Sequence, residues 1–509
     1  MEEVKQPEKR MLLDVDETPK KISSRIILAI QHILAMFVAC ITVPMIVFSG
    51  YVTPNGTSLA GVMIAPTLVS AGIGTLFYLF VTKRKSPMFL ASSFAYMAAM
   101  SSAIAQNAQP VYDEANNVIG LTANVWMLPI GMAMVGVVYC VVALLIKKFG
   151  VTWLNKLLPP IVIGPVIMVI GLSLAGSAIN NLTGTAAGDY NLVKIVCGLV
   201  AMVTTAVCAH FGKKTMSLIP FLLGVVGGYI AAAIFTGIGY AANNDYLKVI
   251  DFSPLVNNFS PIRFTSFLDY PKFLFLANVE NPGVGTLTNV ALTGADIGKA
   301  AALFIPVSLV TICEHIGDHK NMSGILGRDL LEEPGLSRTL IGDGVATAIS
   351  GSLCGAANTT YGENVAVVGV TKIASVKVMI LACLIAIGLG FFSPLMSLTM
   401  TIPACVTGGI SLILYGFIAS SGVKMIIAEK VDMTKTRNIF VASVILITGI
   451  GGLVLAFGAP GEAPVIQITS VATSMILGIL MNLLLREKKE VKEEVGEAKP
   501  EPAEEPKEN

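Results

Sequence analysis

The sequence predicts an all-α polytopic membrane protein. It has fourteen transmembrane segments in two inverted repeats of seven, the third and tenth each a short strand with a half-helix. Three observations predict this. The 509-residue chain is 54% hydrophobic and only 13% charged, whereas a soluble domain carries about 25% charged residues. Eleven apolar runs approach or exceed the about 20 residues needed to cross hydrocarbon. Three further apolar segments are interrupted, and two of the broken stretches echo each other across the chain.

In order, the runs are Ile26–Phe48, Leu59–Val81, Val125–Ile146, Trp153–Gly176, Val193–Phe211, Ser217–Tyr240, Ala301–Asp318, Val376–Phe392, Ile402–Ile426, Ile439–Phe457 and Val465–Leu485. The interrupted segments are Met88–Ala105, Leu340–Cys354 and Glu363–Ile373. With the N-terminus inside, the inner connections carry Lys83-Arg84-Lys85, Lys147-Lys148, Lys213-Lys214, Lys320 to Arg338, Lys372 with Lys377, and Lys424 to Arg437. The outer connections Gly50–Ser58, Asn107–Asn124, Ser393–Thr401 and Gly458–Ala463 have no Lys or Arg. Basic residues favour the cytoplasmic side, so both termini are placed inside. Residues 241–299 form a long outer connection with Lys248, Arg263 and Lys272; long loops obey the charge rule weakly, and this one has room for a small surface piece.

Residues 1–21 are charged and mixed, without the apolar core of a cleavable signal. Residues 486–509, rich in Glu, Lys and Pro, read as a disordered tail. A net charge of +1 gives no electrostatic reason to bind nucleic acid. The eight cysteines lie inside apolar runs without metal-ligand or disulfide spacing, so they read as small buried hydrophobes and no metal is expected.

Residues 353–372 read "LCGAANTTYGENVAVVGVTK". The Gly, Asn and Thr residues make a poor helix, and Glu363 then opens an apolar stretch too short to span. Bare backbone at membrane depth is tolerated only against protein or a water-lined cavity. A short extended piece feeding a half-helix fits, and the half-helix N-terminus presents free N–H groups and a positive dipole end. "ASSFAY" at Ala91–Tyr96 echoes "NTTYGE" at Asn358–Glu363. Upstream of each stands a polar pair, Gln31-His32 in the first of the fourteen segments and Glu314-His315 in the eighth. Seven segments separate the equivalents, and an odd number inverts the second half. Inverted repeats with paired broken helices are a signature of secondary transporters.

Glu314 and Asp318 are four apart and share a helical face. An ionisable residue inside a membrane is functional by default, because its burial is expensive. His319 and Lys320 read as the solvated end of that helix. Gln31 and His32 read as a buried hydrogen-bonded pair. Asp343 reads as a helix-start cap and stays outside the site. HExxH and GxSxG are absent, and "GADIGK" at Gly294–Lys299 is one residue short of a phosphate loop and lacks its Ser/Thr. The chain is therefore expected not to be an enzyme, to carry no cofactor, and not to hydrolyse ATP itself.

These residues resemble the nucleobase–cation symporter family, also called nucleobase–ascorbate transporters, and within it the bacterial uracil-permease branch. The resemblance runs over roughly residues 22–485. It is carried by "QH" at Gln31-His32, "EHIGD" at Glu314–Asp318, and "ENVAVVGVTK" at Glu363–Lys372 with "NTTYGEN" leading into it. It implies a core domain of residues 22–150 and 300–395, a gate domain of residues 151–240 and 396–485, and a homodimer formed through the gate. It implies a secondary transporter in a bacterial inner membrane that imports a nucleobase with protons, Na⁺ being the other coupling ion. Uracil comes first and xanthine or another purine second. An anion transporter on the same fold is the weaker alternative, because its site would need a cation and the residues here are acidic.

The resemblance also assigns roles. Glu314 would accept the base's ring N–H groups. Glu363, Tyr361 and the N–H groups at Gly362 and Glu363 would meet its polar edge. Phe94 would offer an N–H from the opposing half-helix, and Tyr415 would face the site from the gate. His32, beside Gln31, would brace Asn364. Asp318 and Glu363 would carry the coupling proton. Two departures stand out: Ala366 replaces the family's glycine, and Asp318 stands where the uracil branch has His. Asp there is typical of purine-transporting relatives, whereas Glu363 is typical of the uracil branch.

Overall fold

The computed structural model describes residues 11–52, 58–106, 108–112, 116, 118–184, 190–213, 216, 219–273, 294–458 and 466–485. The disordered tail expected at 486–509, residues 1–10, and residues 274–293 of the long outer connection lie outside the described residues.

The chain begins with α1 (Ile22–Val47), the short α2 (Leu59–Val62) and α3 (Ile64–Val81), then β1 (Leu90–Ser92) and the half-helix α4 (Met97–Ile104). A surface hairpin, β2 (Pro110–Tyr112) and β3 (Val118–Leu121), leads to α5 (Met127–Phe149). Next come α6 (Thr152–Leu157), α7 (Pro160–Ser173), α8 (Ala175–Thr183), α9 (Leu192–Phe211) and α10 (Pro220–Ala241). After α11 (Ser253–Phe259) the chain enters α12 (Gly294–Leu326), α13 (Leu336–Ser352), β4 (Asn358–Thr360) and the second half-helix α14 (Gly362–Thr371). It closes with α15 (Val376–Gly390), α16 (Ser393–Met400), α17 (Ala404–Ala428), α18 (Thr436–Ile450), the hairpin β5 (Leu455–Phe457) and β6 (Ile466–Ile468), and α19 (Ser470–Leu484).

Among the described residues, 8 helical spans are long and apolar enough to cross a membrane, and three shorter apolar helices join them: Val376–Gly390, Thr436–Ile450 and Ser470–Leu484. These coincide with the eleven uninterrupted runs. The boundaries differ where local hydropathy misleads. The run from Trp153 breaks at Pro159-Pro160, where α6 ends and α7 starts with proline in its first turn. The run expected to continue to Phe457 leaves the helix at Ile450 and turns into β5. The outer connection 393–401 is largely the helix α16, against which α11 of the long outer connection packs.

The largest correction concerns α12. Its apolar run fades at Asp318, yet the helix continues to Leu326 and stops at Gly327, whose φ of +74° and N–H bond to Ser323 O end it in the left-handed conformation. At 1.5 Å per residue the 33-residue helix is about 50 Å long, more than the hydrocarbon needs. Asp318 and His319 therefore stand well inside the helix rather than at its end.

Helix packing is densest within two groups, which also meet where α1 and α12 touch α7, α10, α17 and α19. In one, α13 lies along α5 and α3, α15 along α3 and α1, and α12 along α5, α4 and α14. In the other, α17 packs on α7, α8 and α9, α10 on α9, and α18 on α7 and α19. Small residues let backbones close up in the second group. A Cβ on Gly409 of α17 would overlap the Gly198 carbonyl of α9, and one on Gly422 would overlap the Gly164 carbonyl of α7. All eight cysteines are free thiols, seven of them buried.

Candidate functional site

β1 and β4 form a two-stranded antiparallel ladder at the centre of the first group, with Leu90 opposite Thr360, Ala91 opposite Thr359 and Ser92 opposite Asn358. All six residues are buried. Each strand is braced by a threonine from a neighbouring helix. Thr75 of α3 accepts the Leu90 N–H at 3.0 Å and donates to Leu90 O at 3.1 Å. Thr347 of α13 donates to Asn358 O. Because the strands are antiparallel, α4 and α14 leave from opposite ends of the ladder. Among the described residues, the N–H groups of Phe94, Gly362 and Glu363 have no backbone acceptor. The orphan donors of a helix start are thus directed at the neighbourhood of the ladder.

Against these donors stand acids from α12. Glu314 is exposed although its neighbours Cys313 and His315 are buried, so its carboxyl meets open space inside a membrane-spanning helix. It interacts electrostatically with Glu363 and Asp343. Asp318, one turn on, interacts with Glu314, Glu363 and Asp343. Its Oδ1 lies 3.4 Å from where a Cβ on Gly362 would stand. Among the described residues, the buried Asn364 Oδ1 and Gln31 Oε1 have no hydrogen-bond partner, and Asp318 Oδ2 and Thr360 Oγ1 face each other's side chains without a close hydrogen bond. Buried polar atoms are nearly always paired, so this cluster calls for a polar ligand or water.

The remaining anticipated residues fall as follows. Asn364 Nδ2 approaches His32 Nδ1 at 3.2 Å and donates to His32 O at 3.3 Å, tying α14 to α1. Phe94 is half-buried and packs against the apolar clusters on both sides. Tyr361 turns its ring into the apolar cluster of α1 and α15, and its N–H bonds Phe89 O. Tyr415 of α17 is buried in the same apolar cluster as Cys313 and Ile316, which lie on either side of Glu314 in the chain. Lys320 is exposed and pairs with Glu429 at 3.7 Å, linking α12 to the end of α17.

Two readings are corrected here. Asp343 does not cap a helix start. It lies in the second turn of α13, fully buried, with Oδ2 2.7 Å from His315 Nδ1. His319 is not solvated. It is fully buried, its Nε2 2.7 Å from Tyr78 Oη. Both differences have one cause: hydropathy fades near these residues while α12 and α13 extend past them. Two signals were available: a lone acid inside an uncharged segment, and two histidines four residues apart on one face.

Residues 23–456 match a family model described as a permease family. A uracil permease of Bacillus caldolyticus is 37% identical over 92% of this chain and 93% of its own length. Uracil permeases of Bacillus subtilis (strain 168) and Escherichia coli (strain K12) are 34% and 31% identical, each over 92% of this chain and over 94% and 93% of their own. Among solved structures, murine Solute Carrier 26 family member A9, an anion transporter in the inward-facing state, superposes with a TM-score of 0.61 at 11% identity, over 92% of this chain and 69% of its own. The transmembrane domain of the cyanobacterial bicarbonate transporter BicA superposes with a TM-score of 0.50 at 13% identity, over 89% and 96%. Identities this low speak for the fold alone. Taken with the apolar spans and the acids set among them, the sequence matches show that the chain belongs to the permease family, as a multi-pass membrane transporter and not an enzyme.

Proposed function

We propose that the chain imports a nucleobase, uracil foremost, by proton symport through alternating access. The observation that carries this is the set of groups around the β1–β4 ladder. A uracil ring is neutral and flat, with N–H donors and carbonyl acceptors on its rim. Glu314 accepts from the ring N–H groups, and the N–H groups at Phe94 and Gly362, which have no backbone acceptor among the described residues, meet its carbonyls beside the Glu363 N–H. Relatives named uracil permease at 31–37% identity support the same substrate. Xanthine is the second reading, favoured by Asp318 in place of His. A small anion is disfavoured, because the site gathers carboxylates.

Asp318 and Glu363 carry the coupling proton in this reading, with Na⁺ as the alternative ion. The fourteen segments form two inverted sets of seven. The α1–α5 and α12–α15 group is the core, and the α7–α10 and α17–α19 group is the gate, through which two copies dimerise. Both termini face the cytoplasm of a bacterium. The denser packing within each group and the matched bracing of β1 and β4 support the division. The test is uptake of labelled uracil and of xanthine into vesicles under an imposed pH gradient, with Na⁺ varied. Uracil accumulation that follows the pH gradient without Na⁺ is the expected result. Accumulation of neither base would overturn the reading.

A further inference from the structure

Behind Glu314 lies a buried polar cluster that base binding does not require. His315 Nδ1 is 2.7 Å from Asp343 Oδ2 and His315 Nε2 is 3.0 Å from Thr339 Oγ1, and all three side chains are fully buried. Thr339 Oγ1 also lies 3.0 Å from Leu336 O. A hydroxyl has one proton to donate. When it points to His315 Nε2, that nitrogen is bare and the neutral ring donates from Nδ1 to the Asp343 carboxylate. When it points to Leu336 O, it can only accept from His315, whose Nε2 must then carry a proton. The two arrangements differ by one proton.

We infer that His315, Asp343 and Thr339 form a buried proton-holding site for the transport cycle, resting on the proton-symport reading above. The His315–Asp343 pair alternates between imidazole with carboxylate, one negative charge, and a state one proton richer with none. The proton binds at His315 Nε2, with Asp343 Oδ2 able to take the one on Nδ1. As it arrives, the Thr339 hydroxyl turns from Nε2 to Leu336 O, so neither form leaves that nitrogen unpaired. His315 and Asp343 hold this proton behind the carboxylates of Asp318 and Glu363, Thr339 is a positioning residue for it, and none of the three touches the base.

The surroundings fit such a site. The titratable groups that face the pair are Glu314, Asp318 and His319 of α12, Tyr139 of α5, Tyr78 of α3, and Tyr96 at the start of α4, with Glu363 of α14 next beyond Glu314 and Asp318. Among the described residues, no Lys or Arg hydrogen-bonds or ion-pairs with this cluster, so a proton is the positive charge available to offset the carboxylates. The polar cluster also extends from the pair toward the basic turn. The His315 ring stacks on His319 at 4.1 Å, and His319 Nδ1 donates to His315 O at 2.7 Å. The neutral His319 ring therefore has a bare Nε2, which accepts from Tyr78 Oη; Ser86 Oγ lies 2.8 Å from that Oη, next to the basic turn Lys83–Lys85.

Infrared pH-difference spectra of the purified full chain in lipid read this site without substrate. One titrating carboxyl or imidazole band is expected to vanish in Asp343→Asn. Its midpoint should move by about one pH unit, a tenfold change in proton affinity, in Thr339→Val and return in Thr339→Ser. In vesicles, Thr339→Val should keep uracil exchange at equal pH while the pH profile of gradient-driven accumulation moves with the band. No band lost in Asp343→Asn, or an unmoved profile and midpoint in Thr339→Val, would overturn the inference. If Asp343→Asn does not fold, the Thr339 variants decide. A wild type that shows the band but takes up neither uracil nor xanthine would instead sink the substrate reading and leave the proton site standing.

Discussion

Glu314 meets open space in the middle of a membrane helix, and the physics of that placement makes it the most sensitive residue of the site. Glu314→Ala should abolish base binding in a folded protein, because the ligand's N–H groups lose their acceptor, at about 1–3 kcal/mol for each bond left unmade. Glu314→Gln should be nearly as harmful, since an amide accepts through one oxygen only. Wild-type affinity in a stable Glu314→Ala protein, measured by equilibrium binding of labelled uracil, would remove Glu314 from the site. Glu363→Gln keeps the shape but loses the charge and the choice of proton state. Uracil uptake should fall severely, and unchanged uptake would take Glu363 out of the site. Asp318 stands beside Gly362 and faces the Thr360 side chain. Asp318→Asn should leave base exchange intact and stop accumulation against a gradient; accumulation equal to wild type would show Asp318 to be a bystander.

At the scale of elements, the second helix group depends on close backbone approaches. α17 passes α9 at Gly409 and Gly198 with no room for a side chain. Within a membrane such contacts supply packing where the hydrophobic effect between helices is missing. Gly409→Ala should therefore force the helices apart and lower stability by about 1–3 kcal/mol. Gly416→Ala, on the same helix with nothing within 4 Å of its would-be Cβ, should be neutral. Equal thermal midpoints for both variants in detergent would contradict the packing of α17 on α9. The half-helices make the opposite use of backbone. α14 is only 10 residues long, and its value lies in the N–H groups at its start, held in place by β4 and by the Asn364 bond to His32.

Over the whole molecule, the N-terminal segment ties distant parts together. Leu12 N donates to Lys372 O at 2.8 Å, Ala374 N to Leu13 O at 2.9 Å and Val376 N to Val15 O at 3.0 Å, so residues 12–15 add an extended edge to the chain between α14 and α15. Met11 and Val15 are buried in a cluster with Tyr78, Met322 and Val368, and Asp14 approaches Arg328 at 3.5 Å. The segment thus fastens α3, α12 and α14 on the side that carries the basic connections. Met11→Ala with Val15→Ala should cost about 2 kcal/mol or more of stability and lower the thermal midpoint. An unchanged midpoint would mean that the segment is not docked in solution.

The sequence by itself determined the long apolar spans and placed Glu314 among them. Both are local properties: a run of about 20 apolar residues and a charge within it are visible without any partner. The broken segments at Leu90–Ile104 and Asn358–Thr371 were legible for the same reason, because Ser, Thr, Asn and Gly interrupt a helix wherever they cluster. Tertiary structure alone decided how these pieces meet. Leu90 pairs with Thr360, and Tyr78 reaches His319 across 241 positions. The fate of Asp343 and His319 was decided in the same way. Read locally, polar residues at the edge of an apolar run look like an end in water. Folded, each found a buried partner, and a hydrogen-bonded polar group can stay inside where an unpaired one could not.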